Sequence, residues 1–496
     1  MKYITNKSAA LFLTFLMLLS IIVSCASGDE TPISTAFTGT VEEDTAPAET
    51  KIDPKLPTDV RYDGYEFKVL TKGLFSKHWY SVDISSSEIN GEPINDAVYA
   101  RNLAVNEKYG VTVVDIPGNY YNLDGDATKA ILSGDDVYDM LCYCAVALIN
   151  NGYLVNLYDV PYLNLKQPYY NQNCIDSLTL KGKLFSVAGD LLIMDKNATW
   201  CVQFNKNIVN DLGLNKKYGK SLYDVVNDGE WTLGFMYETA KLAAYDVDGD
   251  GVMHELNDIW GILTESNNTY TFLVGCGERI ASTDSNGNPK ITLYGDRVAS
   301  VIHDVMQIQK DSKVALDASA LTGYADVWAE VMDKNFIESR ALYNVAGINR
   351  ITLFRTMEVD FGILPMPKYE QKQEKYCNAI SYYGANFISI PKSATDLERT
   401  GIIIEALSCE SMYTLLPAYY DITLKTKASR DAESLEMLEL IFKTTVFDLG
   451  YYFYWGGTNA LLATLKDAGT FASDLASREN AINTDIEKTL QAIDAS

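Results

Sequence analysis

Apolar and polar residues alternate from Tyr65 to Leu70 (Tyr-Glu-Phe-Lys-Val-Leu), the period of a half-buried strand. From Ile94 to Tyr109 the apolar residues fall at 94, 97, 98, 105 and 109, which line one helix face, and Gly110 supplies a stop. Val111-Thr112-Val113-Val114 returns to strand character. Strand, helix and strand in that order predict a parallel pair. A short helix is expected over 127–133, an apolar strand over Val137–Cys144 with Tyr138 and Asp139 at its mouth, and a helix end and loop over 151–165.

The stretch from Lys181 to Leu214 organises the middle of the chain. Lys181-Gly182-Lys183 reads as a turn and Leu184 to Ala188 as an apolar, strand-like run. A polar bridge with Asp190, Asp195 and Asn197 follows. Thr199 to Phe204 alternates again, and Asn205-Lys206 opens an amphipathic helix that Gly213 closes. Farther on, Leu222 to Asp228 predicts a helix, and Thr232 is a candidate N-cap for the next one. Thr283 to Thr292 predicts a hairpin around Asn286-Gly287, and Arg297 to Lys310 a helix. Phe361 to Pro367 reads as a strand leaving into a loop, Asn386 to Pro391 as a returning strand, and Thr395 to Cys409 as a helix. Alternating strands and helices place the chain in the α/β class. Trp231 and Trp260 fall where core residues are expected.

A length of 496 residues predicts two or more domains. The formal net charge of −25 opposes nucleic-acid binding, which needs basic surface to neutralise phosphates. At the start, Lys2 and Lys7 precede an apolar run from Ala9 to Val23, too short to span a membrane, and Ile22-Val23-Ser24-Cys25 follows. An aliphatic residue, two small or aliphatic ones and then Cys resembles a bacterial lipobox, in which the acylated cysteine becomes the new N-terminus. Residues 1–24 are therefore read as a lipoprotein signal peptide and Cys25 as the lipidation site, an anchor to the outer face of the membrane. Residues 25–57, rich in Gly, Ser, Thr, Pro and acids, are expected to form a disordered tether. The remaining cysteines include no CxxC and are an odd set, which favours buried apolar thiols.

Several segments together carry a family resemblance: EPINDAVYARNLAVNEKYGV (92–111), GDDVYDML (134–141), the 181–214 stretch, DGEWTLGFMYETAKLA (228–243), FGILPMPK (361–368) and LPAYYDITLKTKASRDAESLEML (416–438). In order, over about residues 60–470, they resemble the bacterial extracellular solute-binding lipoproteins of the family 1-like, carbohydrate ABC importer type. The resemblance implies a two-lobed α/β fold of the type II periplasmic-binding-protein kind, each lobe a mixed sheet flanked by helices, joined by a hinge. It places lobe one at 58–188 and 378–412, and lobe two at 189–377 and 413–496. It further implies a monomer without enzymatic activity that captures a small solute, a mono- or oligosaccharide, between the lobes and delivers it to importer membrane subunits. A secreted glycoside hydrolase and a surface glycan-capture protein without a transporter are the alternatives.

Open α/β sheets bind ligands at the carboxyl ends of their strands. Within the expected cleft this points to Trp79 and Tyr80 after the first strand, with His78 beside them, and to Asp139 and Tyr143 at the third. It points also to Asp195 and Trp200 by the crossover, and to Asn344, Asn349 and Arg350 in lobe two. Tyr382 and Tyr383 at the second crossover, and Tyr419, Tyr420 and Trp455 late in the chain, complete the candidates. Aromatic faces stack on sugar C–H surfaces while amides, carboxylates and guanidinium groups bind hydroxyls. Each of these residues fits a core position as readily as a ligand contact.

Asp246, Asp248 and Asp250, followed by Gly251 and the carbonyl of Val252, match positions 1, 3, 5, 6 and 7 of a Ca²⁺ loop. Position 12 holds Asn257 where a bidentate Glu belongs, and Asp258 or Glu255 could close the site instead. A structural Ca²⁺ and a metal-free acidic turn both fit this spacing. With His78, His254 and His303 as the only histidines, triads and His-rich zinc sites have little material, and no GxSxG, P-loop or GxGxxG motif occurs. Paired carboxylates stay open among 66 acidic residues.

Overall fold

The structure, a computed structural model, describes residues 51–73, 79, 81–424 and 432–496. Cys25, most of the expected tether, His78 and Tyr80 lie outside the described residues. No described helix is long and apolar enough to cross a membrane.

Two mixed sheets carry the fold. In the first, β1 (Tyr65–Thr71) lies parallel to both β2 (Val111–Pro117) and β3 (Met140–Cys142). Tyr65 stands opposite Val111, and Val69 opposite Met140. The expected parallel pair forms because the helix Pro93–Tyr109 supplies the crossover. That helix ends where Gly110 turns left-handed at φ 71°. The strand β12 (Ile388–Ser389) closes the sheet, antiparallel to β3.

The second sheet has the order β10-β4-β9-β5-β8. Its strands are β4 (Trp200–Asn205), β5 (Trp260–Thr264), β8 (Ala315–Asp317), β9 (Ala341–Gly347) and β10 (Phe361–Leu364). Here β5 runs parallel to β8 and β9, whereas β4 runs antiparallel to β9 and β10. Two small pairs complete the strands. One is the hairpin β6 (Ala281–Thr283) and β7 (Pro289–Ile291), turning at Gly287 with φ 75°; the other is β11 (Asn378–Ala379) with β13 (Thr445–Val446).

Local chemistry sets the element ends. The Asn205 side chain accepts from the Ile208 N–H and starts the helix Lys206–Asp211. Thr232 does the same for Leu233–Ala243 through the Phe235 N–H. Ser221 and Asp224 form a reciprocal capping box on Leu222–Asn227. At the Lys181 turn, Lys181 and Gly182 both have positive φ (48° and 75°), the conformation that folds a tight two-residue hairpin.

Of the chain's passages between the two cores, three meet at one place: near 199, near 380 and along 447–455. The first two crossovers pair with each other, Thr199 against Ile380, and the Ser381 N–H donates to the Ala198 carbonyl at 2.9 Å. The third is tied in by Tyr382, whose hydroxyl donates to the Asp448 carbonyl at 3.3 Å.

Several expectations are corrected. Leu184 to Ala188 is buried and extended but pairs only through Val187 against Ile388. The Val137–Cys144 strand contracts to Met140–Cys142. Residues 52–57, expected in the tether, dock on the body. The Ile52 N–H donates to the Tyr413 hydroxyl at 2.7 Å, and Leu56 is buried in the first sheet's core, so its apolar surface leaves water. Phe447, Leu449, Tyr452, Phe453, Trp455 and Ile493, expected with the second sheet, pack into that same core. Trp231 and Trp260 are buried. The seven cysteines outside the signal region are free thiols, and burial pushes the Cys142 thiol well up and that of Cys144 to about 12.

Candidate functional site

The carboxyl ends of β1, β5 and β9 and the three crossovers meet around a cavity of about 500 Å³. From the first sheet's side comes Trp79, beyond the end of β1. Trp200 opens β4. Glu265 and Asn267 follow β5, and Asn349 and Arg350 follow β9. The crossovers supply Ser381, Tyr383, Tyr451 and Tyr454, while Asp326 and Trp328 sit at the start of a π-helical turn, Trp328–Met332.

The aromatic surfaces are held in place. Trp79 lies against two glycines. A Cβ at Gly384 would overlap its indole, and one at Gly347 would stand 3.6 Å from its Cη2. Tyr451 stacks on Tyr270 with ring centroids 4.0 Å apart and planes 4° from parallel. Asp448 fixes that stack by capping Leu449–Phe453: its carboxylate accepts from Gly450 and Tyr451 on one side, and from Ile280 and Ala281 of the second sheet's flank on the other. Tyr454 ends that helix at φ 57°, a conformation costing a side-chain-bearing residue on the order of 1 kcal/mol or more.

Polar groups converge on the same space. The Arg350 guanidinium lies 4.8 Å from the Trp328 ring centroid, and its Nη1 donates to Asp333 Oδ2 at 2.8 Å. Burial pushes the Asp333 carboxyl up to about 6, against the pull of Arg350. Burial also raises the pKa of Glu265, opposed by the side chains of Asn267 and Trp328 and by the charge of Arg350. Asn349 is 9% exposed, and among the described residues neither its Oδ1 nor its Nδ2 has a hydrogen-bond partner. A buried amide with both ends free costs about 1–3 kcal/mol unless a ligand or water satisfies it. A second cavity of about 490 Å³, lined by Lys72, Tyr120, Tyr143 and Tyr382 among others, shares Tyr383 and Tyr454 with the first.

Of the ligand candidates read from the sequence, Trp79, Trp200, Asn349, Arg350 and Tyr383 come together here. Others do not. Asp139 is buried, accepts from the Tyr65 hydroxyl at 2.7 Å and the Lys68 N–H at 2.8 Å, and faces Arg399 at 3.6 Å. Asp195 is buried beside Lys196 at 3.6 Å. Tyr419 is buried and donates to Asn197 Oδ1 at 2.9 Å. Trp455 is fully buried, its indole N–H donating to Thr489 Oγ1 at 3.0 Å. Asn344 pairs with Gln203 inside the second sheet. Tyr382 and Tyr143 line the neighbouring cavity as largely buried rings. These side chains sit in the core or against internal polar partners and do not line this cavity, although Tyr143 Oη, Asp195 Oδ1 and Asn344 Oδ1 lack a hydrogen-bond partner among the described residues. Glu265, Asn267, Asp326, Trp328, Tyr451 and Tyr454 were not found from the sequence. A Glu or Asn just past an apolar strand, as in Thr264-Glu265, was the one signal available.

In the acidic loop, oxygens of Asp246, Asp248 and Asp258 lie within 4.8 Å of one another, and Asp248, Asp250 and His254 form an overlapping trio. Asp246 also accepts from the N–H groups of Gly249 and Gly251, both at 2.7 Å. Of the two residues expected to stand in for Asn257, buried Asp258 lies with Asp246 and Asp248, whereas Glu255 accepts from the Tyr324 hydroxyl at 2.8 Å. Hard oxygens converging around a tight turn fit a Ca²⁺ ion.

No protein-family model and no curated protein matches the chain. Solved structures do. A cyclo/maltodextrin-binding protein complexed with maltotetraose superposes with a TM-score of 0.52 at 13% identity, over 86% of this chain and 97% of that one. UspC of M. tuberculosis gives a TM-score of 0.52 at 12% identity, over 85% of this chain and 100% of that one. The fold is that of the two-lobed solute-binding proteins. The cavity between the two sheets is therefore an inter-lobe cleft.

Proposed function

We propose that the chain is the solute-binding component of an ABC importer, lipid-anchored through Cys25 outside the membrane, and that its solute is a mono- or oligosaccharide. The observation that carries this reading is the cleft itself. The indoles of Trp79, Trp200 and Trp328 line it together with the carboxylates of Glu265 and Asp326 and the amide of Asn349, which has no partner among the described residues. Flat apolar faces beside a few placed donors and acceptors suit a sugar ring, whose two kinds of surface they match. The complex of the cyclo/maltodextrin-binding protein with maltotetraose, on the same fold, supports it.

In this reading lobe one gathers 52–198, 380–412, 447–455 and the end of the last helix, and lobe two 200–379, 432–446 and 458–482. Solute binds both lobes at once and so favours the closed arrangement by its differential affinity. The importer's membrane subunits read that closed arrangement, and the solute leaves unchanged. Ca²⁺, held by Asp246, Asp248, Asp250, Asp258 and the Val252 carbonyl, ties the acidic loop to the strand that begins at Trp260.

A thermal-shift screen of the purified protein against neutral mono- and oligosaccharides tests the reading, with the same mixtures assayed for cleavage. A rise of several degrees with an intact sugar is expected. Cleavage of a glycosidic bond would replace the reading with a hydrolase, and silence on every sugar would remove the saccharide.

A further inference from the structure

Lys72 follows β1 directly and is 3% exposed. Its Nζ donates to three successive carbonyls of the second crossover: Tyr383 at 3.0 Å, Gly384 at 3.0 Å and Ala385 at 2.7 Å. Among the described residues, no carboxylate forms an ion pair with it. An ammonium has three donors and no acceptor, so this ring of carbonyls saturates it. Three carbonyl dipoles aimed at one point repel one another unless a cation sits between them. Burying a lysine without a carboxylate is costly, and a position that keeps one demands the charge for something.

What the three carbonyls belong to is the cleft. Tyr383 lines both cavities. Gly384 is the surface on which the Trp79 indole rests. Within the turn, the Gly384 and Ala385 N–H groups both donate to the Ser381 carbonyl, at 3.1 and 2.9 Å. β1 is flanked by β2 and β3 and is the rigid partner.

We propose that Lys72 is a positioning residue for the solute cleft: its ammonium fastens the 383–385 crossover to the end of β1 and thereby sets both Tyr383 and the glycine surface under Trp79. The assignment of the cleft as a solute site rests on the function proposed above; the positioning of Trp79 does not.

The test compares wild type with Lys72→Met and Lys72→Arg. Trp79 is isolated as the difference in fluorescence emission between each protein and its Trp79→Phe counterpart, and affinity is read by calorimetry with maltotetraose. In Lys72→Met the Trp79 emission shifts to longer wavelength and maltotetraose affinity falls tenfold or more. Lys72→Arg, which keeps a cation and its donors, restores the emission. Should Lys72→Met fail to fold, Lys72→Gln, with two N–H donors and no charge, takes its place with the same expectation. A folded uncharged variant whose Trp79 emission equals the wild type's overturns the proposal, as does an arginine variant shifted as far as the uncharged one. If wild type ignores maltotetraose, the emission still decides the role of Lys72, and only the choice of sugar is affected.

Discussion

Arg350 lies over the indole of Trp328, 4.8 Å from the ring centroid, while the same guanidinium donates to Asp333 at 2.8 Å. The arginine is thus neutralised from behind and stacked from the side, which stiffens Trp328 as one face of the cleft. A rigid, half-buried indole presented to the cavity is the profile of a binding hot spot. Trp328→Ala is expected to lower saccharide affinity by on the order of 2 kcal/mol, a factor of tens, with a much smaller effect on the melting temperature. Titration calorimetry beside a thermal melt separates the two. Unchanged affinity would remove Trp328 from the site.

Asp139 makes the opposite prediction. Its carboxylate is spent on Tyr65, Lys68 and Arg399 inside the first sheet. Asp139→Ala leaves the Tyr65 hydroxyl and the Lys68 N–H without their acceptor, while the Arg399 guanidinium keeps Asp396 at 3.2 Å, and should destabilise the protein by about 1–3 kcal/mol. Saccharide affinity measured well below the melting temperature should stay within about twofold. A selective loss of binding in a protein of wild-type stability would return Asp139 to the cleft.

The elements legible in the sequence are those whose signals are local. Pro93–Tyr109 announced itself by its apolar spacing and by Gly110, Lys206–Asp211 by Asn205, and the hairpin by Asn286-Gly287. Asn349 and Arg350 were named as polar candidates in lobe two, although the strand Ala341–Gly347 that places them was not read from the sequence. Trp328, Tyr451 and Tyr454 were not, because they reach the cavity through a π-helical turn and a third crossover that only the assembled sheets define. Asp139 and Trp455 misled for a related reason: a carboxylate at a strand mouth and an aromatic near a crossover look alike whether they face solute or an internal Tyr65 or Thr489. Ile52 and Leu56 were hidden in a polar stretch whose composition outvoted two apolar residues.

Asp333 gives a pH dependence whose sign is set by burial. Its carboxyl is pushed up to about 6 in the folded protein, from 3.8. Between those values the folded state binds the proton more tightly than the unfolded state. The stability it contributes is therefore full below about pH 4 and is lost as pH rises through 6. The melting temperature of wild type, relative to that of Asp333→Asn, should fall as pH is raised from 4.5 to 7.5. A constant difference across that range would show that the carboxyl is not perturbed.

The acidic loop predicts a metal effect. Scanning calorimetry in millimolar Ca²⁺ should give a higher melting temperature than in excess chelator, and Asp248→Ala should abolish the difference. Asp248 belongs to both carboxylate groups, so its loss dismantles either arrangement. Equal melting temperatures with Ca²⁺ and with chelator would leave a metal-free turn.

The central claim is that the cleft holds a saccharide between the two lobes, and Asn349 tests it most directly because its buried amide has no partner among the described residues. The measurement is titration calorimetry of wild type and Asn349→Ala against a panel of neutral mono- and oligosaccharides. The account predicts saturable binding of at least one intact sugar to wild type, weakened about tenfold or more in the variant. Binding that the variant leaves unchanged, or no binding of any sugar to wild type, would contradict it.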